Sequence, residues 1–113
     1  MRIENLTRGT LIVSNAHEAR SFSEKLFGLM GQAAMPQTSA LIIYHTNWIH
    51  TFWMRFDLDL IYIDDRQRVV GLTPALAPNR VDQPFWSAKH VIELNAGLIQ
   101  ASQTQIGDQL KLS

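Results

Sequence analysis

The 113-residue chain has no cysteine. That excludes a disulfide framework, a thiolate metal site and a cysteine nucleophile, and it removes any need for an oxidising compartment. Net charge is lacking too, since ten Lys+Arg balance ten Asp+Glu. Affinity built on neutralising many phosphates is therefore not expected. Arg55, Arg66, Arg68 and Arg80 are scattered among acids, with no Lys/Arg run, so no nucleic-acid partner is expected either. No apolar run approaches the length of a membrane span, and the opening MRIENLTRGT has no apolar signal-peptide core. The expectation is one cytoplasmic domain over residues 1–113, because two separate cores would leave each half too small to be stable.

What is present is a dense apolar and aromatic stretch, IHTFWMRFDLDLIYIDD, from Ile49 to Asp65. Polar groups in so apolar a stretch must find partners or cost stability. Ile3 to Leu6 and Thr10 to Val13 read as two short strands around Arg8 and Gly9. Asn15 and Glu18 have the spacing of a capping box, and Ala19, Phe22, Leu26 and Phe27 recur at helical spacing. Together they predict a short helix over about 16–28. Ala40 to Tyr44 reads as a buried strand. Ile49 to Arg55 reads as a strand with His50, Phe52 and Met54 on one face, and Leu58 to Asp64 as a second strand.

Asp64 to Gln67 signals a hairpin turn, with Arg68 to Thr73 returning. Pro74 to Ser87 lacks periodicity and reads as a long irregular segment, with Phe85 and Trp86 tucked back onto the core. Ala88 to Asn95 reads as a strand, Leu98 to Ser102 as a helical turn, and Gln109 to Leu112 as a last short strand. Many short strands and one helix predict a mainly β fold, a compact antiparallel sandwich or barrel with the helix packed on it.

These residues fall into blocks that resemble the domain-of-unknown-function 192 family. FGLMG from Phe27 to Gly31 resembles its Gly-Leu-Leu/Met-Gly-Arg block, and IHTFWMRF from Ile49 to Phe56 followed by Asp59 resembles its His-Thr-x-x-Met-Arg-Phe-x-x-Asp block. VIELNAG from Val91 to Gly97 and the Ile106 to Asp108 turn resemble two further blocks, in the same order. The chain departs from the pattern at Gln32, at Asp57 and near Thr46, where relatives carry Arg, Pro and in some cases Cys. The resemblance implies a compact, mainly β fold with a short helix. It implies no established reaction.

The candidate ligand-binding residues are His50, Thr51, Trp53, Arg55, Asp59, Arg80 and Glu93. A His that titrates near neutrality, a carboxylate to orient it and an Arg to hold an anion form a plausible polar cluster at the mouth of a sandwich. The same groups can instead pair with one another and with loop backbone. No serine or threonine sits in a nucleophile motif such as Gly-x-Ser-x-Gly. His17, His45, His50 and His90 lack the spacing of a helical zinc motif, so neither a metal nor a cofactor is expected.

The sequence therefore suggests a non-catalytic ligand- or partner-binding accessory module, a monomer or small homo-oligomer that takes a small ligand or a protein. The alternative is a small enzyme acting on an anionic or carbohydrate-like substrate, with His50 or Asp59 as base and Arg55 as anion holder. Exposure of Trp48 or Trp86 beside the Pro-rich segment would favour binding.

Overall fold

The computed structural model describes residues 1–19, 38–52 and 54–113. Its strands are β1 (Ile3–Asn5), β2 (Thr10–Val13), β3 (Asn15–Ala19), β4 (Ser39–Tyr44), β5 (Leu58–Ile63), β6 (Val69–Leu76), β7 (His90–Asn95) and β8 (Leu110–Leu112), with a short helix α1 (Leu98–Ala101) between β7 and β8. They form a three-stranded sheet in the order β2-β1-β8 and a five-stranded sheet in the order β3-β4-β7-β5-β6. The chain passes from the first sheet to the second at Ser14, between β2 and β3. The sheets meet again where Arg68 bridges Gln109. The result is a mainly β sandwich that does not close into a barrel.

The five-stranded sheet is apolar on both faces. On one face Ala40, Ile42, Ile61, Ile63, Ile92 and Leu94 pack against Ile3, Ile12, Val13 and Leu110 of the smaller sheet. On the other, Ile43, Leu58, Leu60, Tyr62 and Val91 pack against Ile49, Met54 and Ala88 from irregular segments. Those segments make a third layer. Every residue of β5 is buried, because this strand lies under cover on both sides. β7 beside it pairs with β4 on one edge and β5 on the other.

Three sequence expectations change. Asn15 to Ala19 is a strand, not a helix start: β3 pairs with β4 in parallel, Asn15 opposite Ser39 through Ala19 opposite Ile43. The rest of the expected helix, from residue 20 onward, lies outside the described residues. The described residues of Ile49 to Arg55 belong to no strand of either sheet; among them, His50 makes a ladder bridge to Val81. β6 runs on past Thr73 to Leu76, through Pro74. It tolerates that proline because it is the last strand of its sheet.

Candidate binding site

Asp59, the second residue of β5, is 1% exposed and points to the same side as Ile61 and Ile63. Its Oδ1 accepts from the Ala75 N–H at 2.8 Å. Its Oδ2 accepts from the Gly97 N–H at 3.0 Å and the Ile99 N–H at 2.9 Å. One carboxylate thus ties the end of β6 to the first turn of α1, where the unsatisfied helical N–H groups lie. Ala75 has φ 50 and Gly97 φ 100, so the carboxylate stabilises two left-handed residues at once. Asp59 also lines an open cavity of about 540 Å³ with Pro74, Gln100 and Gln103.

Thr51 has an equivalent role in the third layer. It is fully buried. Its hydroxyl donates to the Ala77 carbonyl at 2.6 Å and accepts from the Arg80 N–H at 3.0 Å. Backbone bonds run antiparallel on either side: Phe85 N–H to Asn47, Asp82 N–H to Ile49, Thr51 N–H to Arg80 and Asn79 N–H to Thr51. Residues 47–51 and 79–85 therefore form a laced ribbon laid over the sheet. Arg80 takes part through its backbone, and its side chain is exposed.

Beneath the ribbon lies a buried polar group that sequence reasoning missed. Asp82, 7% exposed, accepts from the Tyr62 hydroxyl at 2.7 Å, the Thr73 hydroxyl at 2.8 Å and the Gln83 N–H at 2.9 Å. Burial pushes the Tyr62 phenol far above its ordinary range, and the Asp82 hydrogen bond and the Asp82 and Glu93 charges push it further. Glu93 is fully buried on this same face, two residues from Val91. Asp82 gave no sequence signal because it sits in a segment without periodicity.

Of the seven expected residues, the six that the structure describes do not all converge. His50, Thr51 and Arg80 share the ribbon, Glu93 lies under it, and Asp59 is on the opposite face of the sheet. Arg55 is exposed, and Trp53 lies outside the described residues. Among the described residues, no three His, Asp or Glu side chains are placed to hold a metal.

The ribbon instead presents aromatic surface. Phe85 tucks inward as expected, its ring 4.4 Å from that of Tyr62. Trp86 does not: it is 81% exposed, and Trp48 is 46% exposed. Both line a cleft of about 300 Å³ with Val81, Asp82 and Pro84. Trp48 also walls a cavity of about 290 Å³ with Thr46, Ile49 and His50. It walls a third, of about 430 Å³, with His45, Thr46, Asn47, Ala88 and Lys89. His50 stacks on Phe52 at 4.6 Å between ring centroids and lies 6.5 Å from Trp48. Trp48 is thus the common wall of three adjoining hollows.

The sequence profile of the domain-of-unknown-function 192 family, described as Uncharacterized ACR, matches residues 4–112. A UPF0127 protein of Pyrococcus furiosus is 29% identical over 110 residues, which cover 95% of this chain and 94% of the relative. A UPF0127 protein of Thermococcus gammatolerans is 31% identical over 110 residues, 94% of this chain and 71% of the relative. Among solved structures, a protein of unknown function from Novosphingobium aromaticivorans has a TM-score of 0.77 at 18% identity, covering 98% of this chain and 82% of that one. That likeness is one of fold.

Proposed function

Since the chain belongs to the domain-of-unknown-function 192 family, whose description assigns no reaction, we propose a function from its own surface: a non-catalytic binding module whose contact surface is the aromatic shelf around Trp48. The observation that carries this reading is the pair Trp48 and Trp86, 46% and 81% exposed on one cleft. Aromatic side chains bring large contact areas and are enriched where partners bind. Burying such area is worth about 25 cal/mol per Å². The shelf rests on a ribbon fixed by backbone bonds and by Thr51, so binding would order little that is not already ordered.

The buried polar groups support binding over catalysis. Asp59 and Asp82 each accept three hydrogen bonds from the protein itself. A carboxylate so engaged holds structure in place, and Asp59 lies across the sheet from the shelf.

The test is a fragment screen followed by amide chemical shifts, using a mixed library of aromatic, saccharide and anionic compounds. Shifts are expected at residues 45–50 and 81–86, and Trp86→Ala should weaken them. Shifts confined to the cavity beside Asp59 and Gln100 would defeat the reading. So would turnover of a screened substrate that is lost in His50→Ala.

A further inference from the structure

Resting on that reading, we infer that the shelf recognises a pyranose ring bearing an anionic group, with the anion at Lys89 and His45 and the ring against Trp48. The cavity of about 430 Å³ lined by His45, Thr46, Asn47, Trp48, Ala88 and Lys89 carries this inference. Among the described residues, its wall contains no carboxylate and one permanent cation. Among the described residues, the Lys89 ammonium makes no hydrogen bond or ion pair, and the Asn47 amide side chain makes no hydrogen bond.

The positions of these groups are fixed although their tips are open. The Lys89 N–H donates to Ile63, and its carbonyl accepts from the Thr46 N–H. The Asn47 carbonyl accepts from the Phe85 N–H. His45 is held at φ 56, its N–H donating to His90 Nδ1 at 3.1 Å, with the two imidazoles edge-on at 5.5 Å. Burial lowers the His90 pKa, and the nearby His45 and Lys89 charges lower it further, against an opposing contribution from Asp65. Lys89 is the permanent cation at that end of the shelf.

Each part of the lining matches a part of such a ligand. An ammonium and an imidazole hold a carboxylate or phosphate. The Asn47 amide both donates and accepts, as a sugar hydroxyl requires of its partner. Trp48 supplies the aromatic part of the lining, and the C–H side of a pyranose packs on aromatic surface. A single lysine in a hollow of this size does not track a polymer backbone, which would need a basic stripe.

Titration calorimetry with glucuronate, glucose 6-phosphate, glucose, inorganic phosphate and adenosine monophosphate tests the inference. At least one acidic sugar should bind ten-fold or more tighter than glucose and than inorganic phosphate. Whichever of glucuronate and glucose 6-phosphate binds tighter identifies the anion as carboxylate or phosphate. Lys89→Ala should bring the acidic sugar to the affinity of glucose, Lys89→Arg should restore it, and Trp48→Ala should weaken both sugars. Lys89 is exposed, so its variants should fold, and their melting temperatures check this.

Equal binding of glucose and acidic sugar, with no effect of Lys89→Ala, overturns the inference. So does inorganic phosphate binding as tightly as glucose 6-phosphate, or adenosine monophosphate binding more tightly than either acidic sugar. If none of these probes binds while library fragments still shift residues 45–50, the inference falls and the shelf reading stands. If neither experiment gives binding, both fall.

Discussion

Asp59 accepts three backbone N–H groups from β6 and α1, so removing its carboxylate strands three donors together. Asp59→Ala is expected to destabilise by about 2–3 kcal/mol, the range for losing buried bonds to a charged group. Denaturant unfolding measures it, and a midpoint equal to wild type would show the carboxylate is not structurally tied. Asp108 makes a similar anchor at the other sheet. It accepts from Asn5 Nδ2 at 2.9 Å, the Gln105 N–H at 2.9 Å and both Arg8 Nε at 3.0 Å and Nη2 at 3.1 Å.

Burial alone would raise the Asp108 pKa, but the Arg8, Asn5 and Gln105 hydrogen bonds and the Arg8 charge outweigh it, leaving the value below the ordinary 3.8. A carboxylate with a depressed folded pKa contributes stability that is complete above its unfolded pKa and lost as pH falls through the folded value. The melting temperature should therefore fall on acidification below about pH 4. Asp108→Asn should lower it at pH 7 and flatten that acid dependence. An Asn variant with the full wild-type pH profile would contradict the assignment.

The layer of irregular segments depends on close contact with the sheet, and at Gly71 of β6 the Phe85 ring comes up against the strand backbone. A Cβ there would enter the Phe85 ring, which itself packs on Tyr62. Gly71→Ala is expected to cost about 1–3 kcal/mol, as overpacking does. Amide exchange at Asp82 and Phe85, which bond across the ribbon, should also speed up. Unchanged exchange there would mean Phe85 does not seat the ribbon.

Elements such as β5 were legible because their burial is written in their own residues: Leu58 to Ile63 is apolar enough to demand cover on both sides. β3 was not. Asn15 and Glu18 carry a local capping signal, yet five residues of parallel pairing with β4 override it. The ribbon was half legible. Ile49 to Arg55 reads as a strand with His50, Phe52 and Met54 on one face, but the backbone partners of Ile49 and Thr51 come from residues 79–85, which have no pattern to announce them. For the same reason Thr51 could be named from sequence and Asp82 could not.

At the scale of the whole molecule, the groups that stabilise the fold and those that face solvent separate. Asp59, Thr51 and Asp82 are buried and bonded within the protein, whereas Trp86 is 81% exposed at the rim of the shelf. On the proposed reading, removing Trp86 takes contact area from a partner; from the core it takes almost none. Trp86→Ala should change stability by less than about 0.5 kcal/mol, as surface substitutions do, and should weaken binding at residues 45–50 and 81–86 at least ten-fold. Thr51→Val should do the reverse at first. It deletes the donor to Ala77 and the acceptor for Arg80, destabilising by about 1–2 kcal/mol, and affects ligands only as far as the ribbon loosens. Thermal melts and shift titrations of the two variants side by side measure this separation. If Trp86→Ala melts far below wild type, the tryptophan belongs to the core and the shelf is not the binding surface.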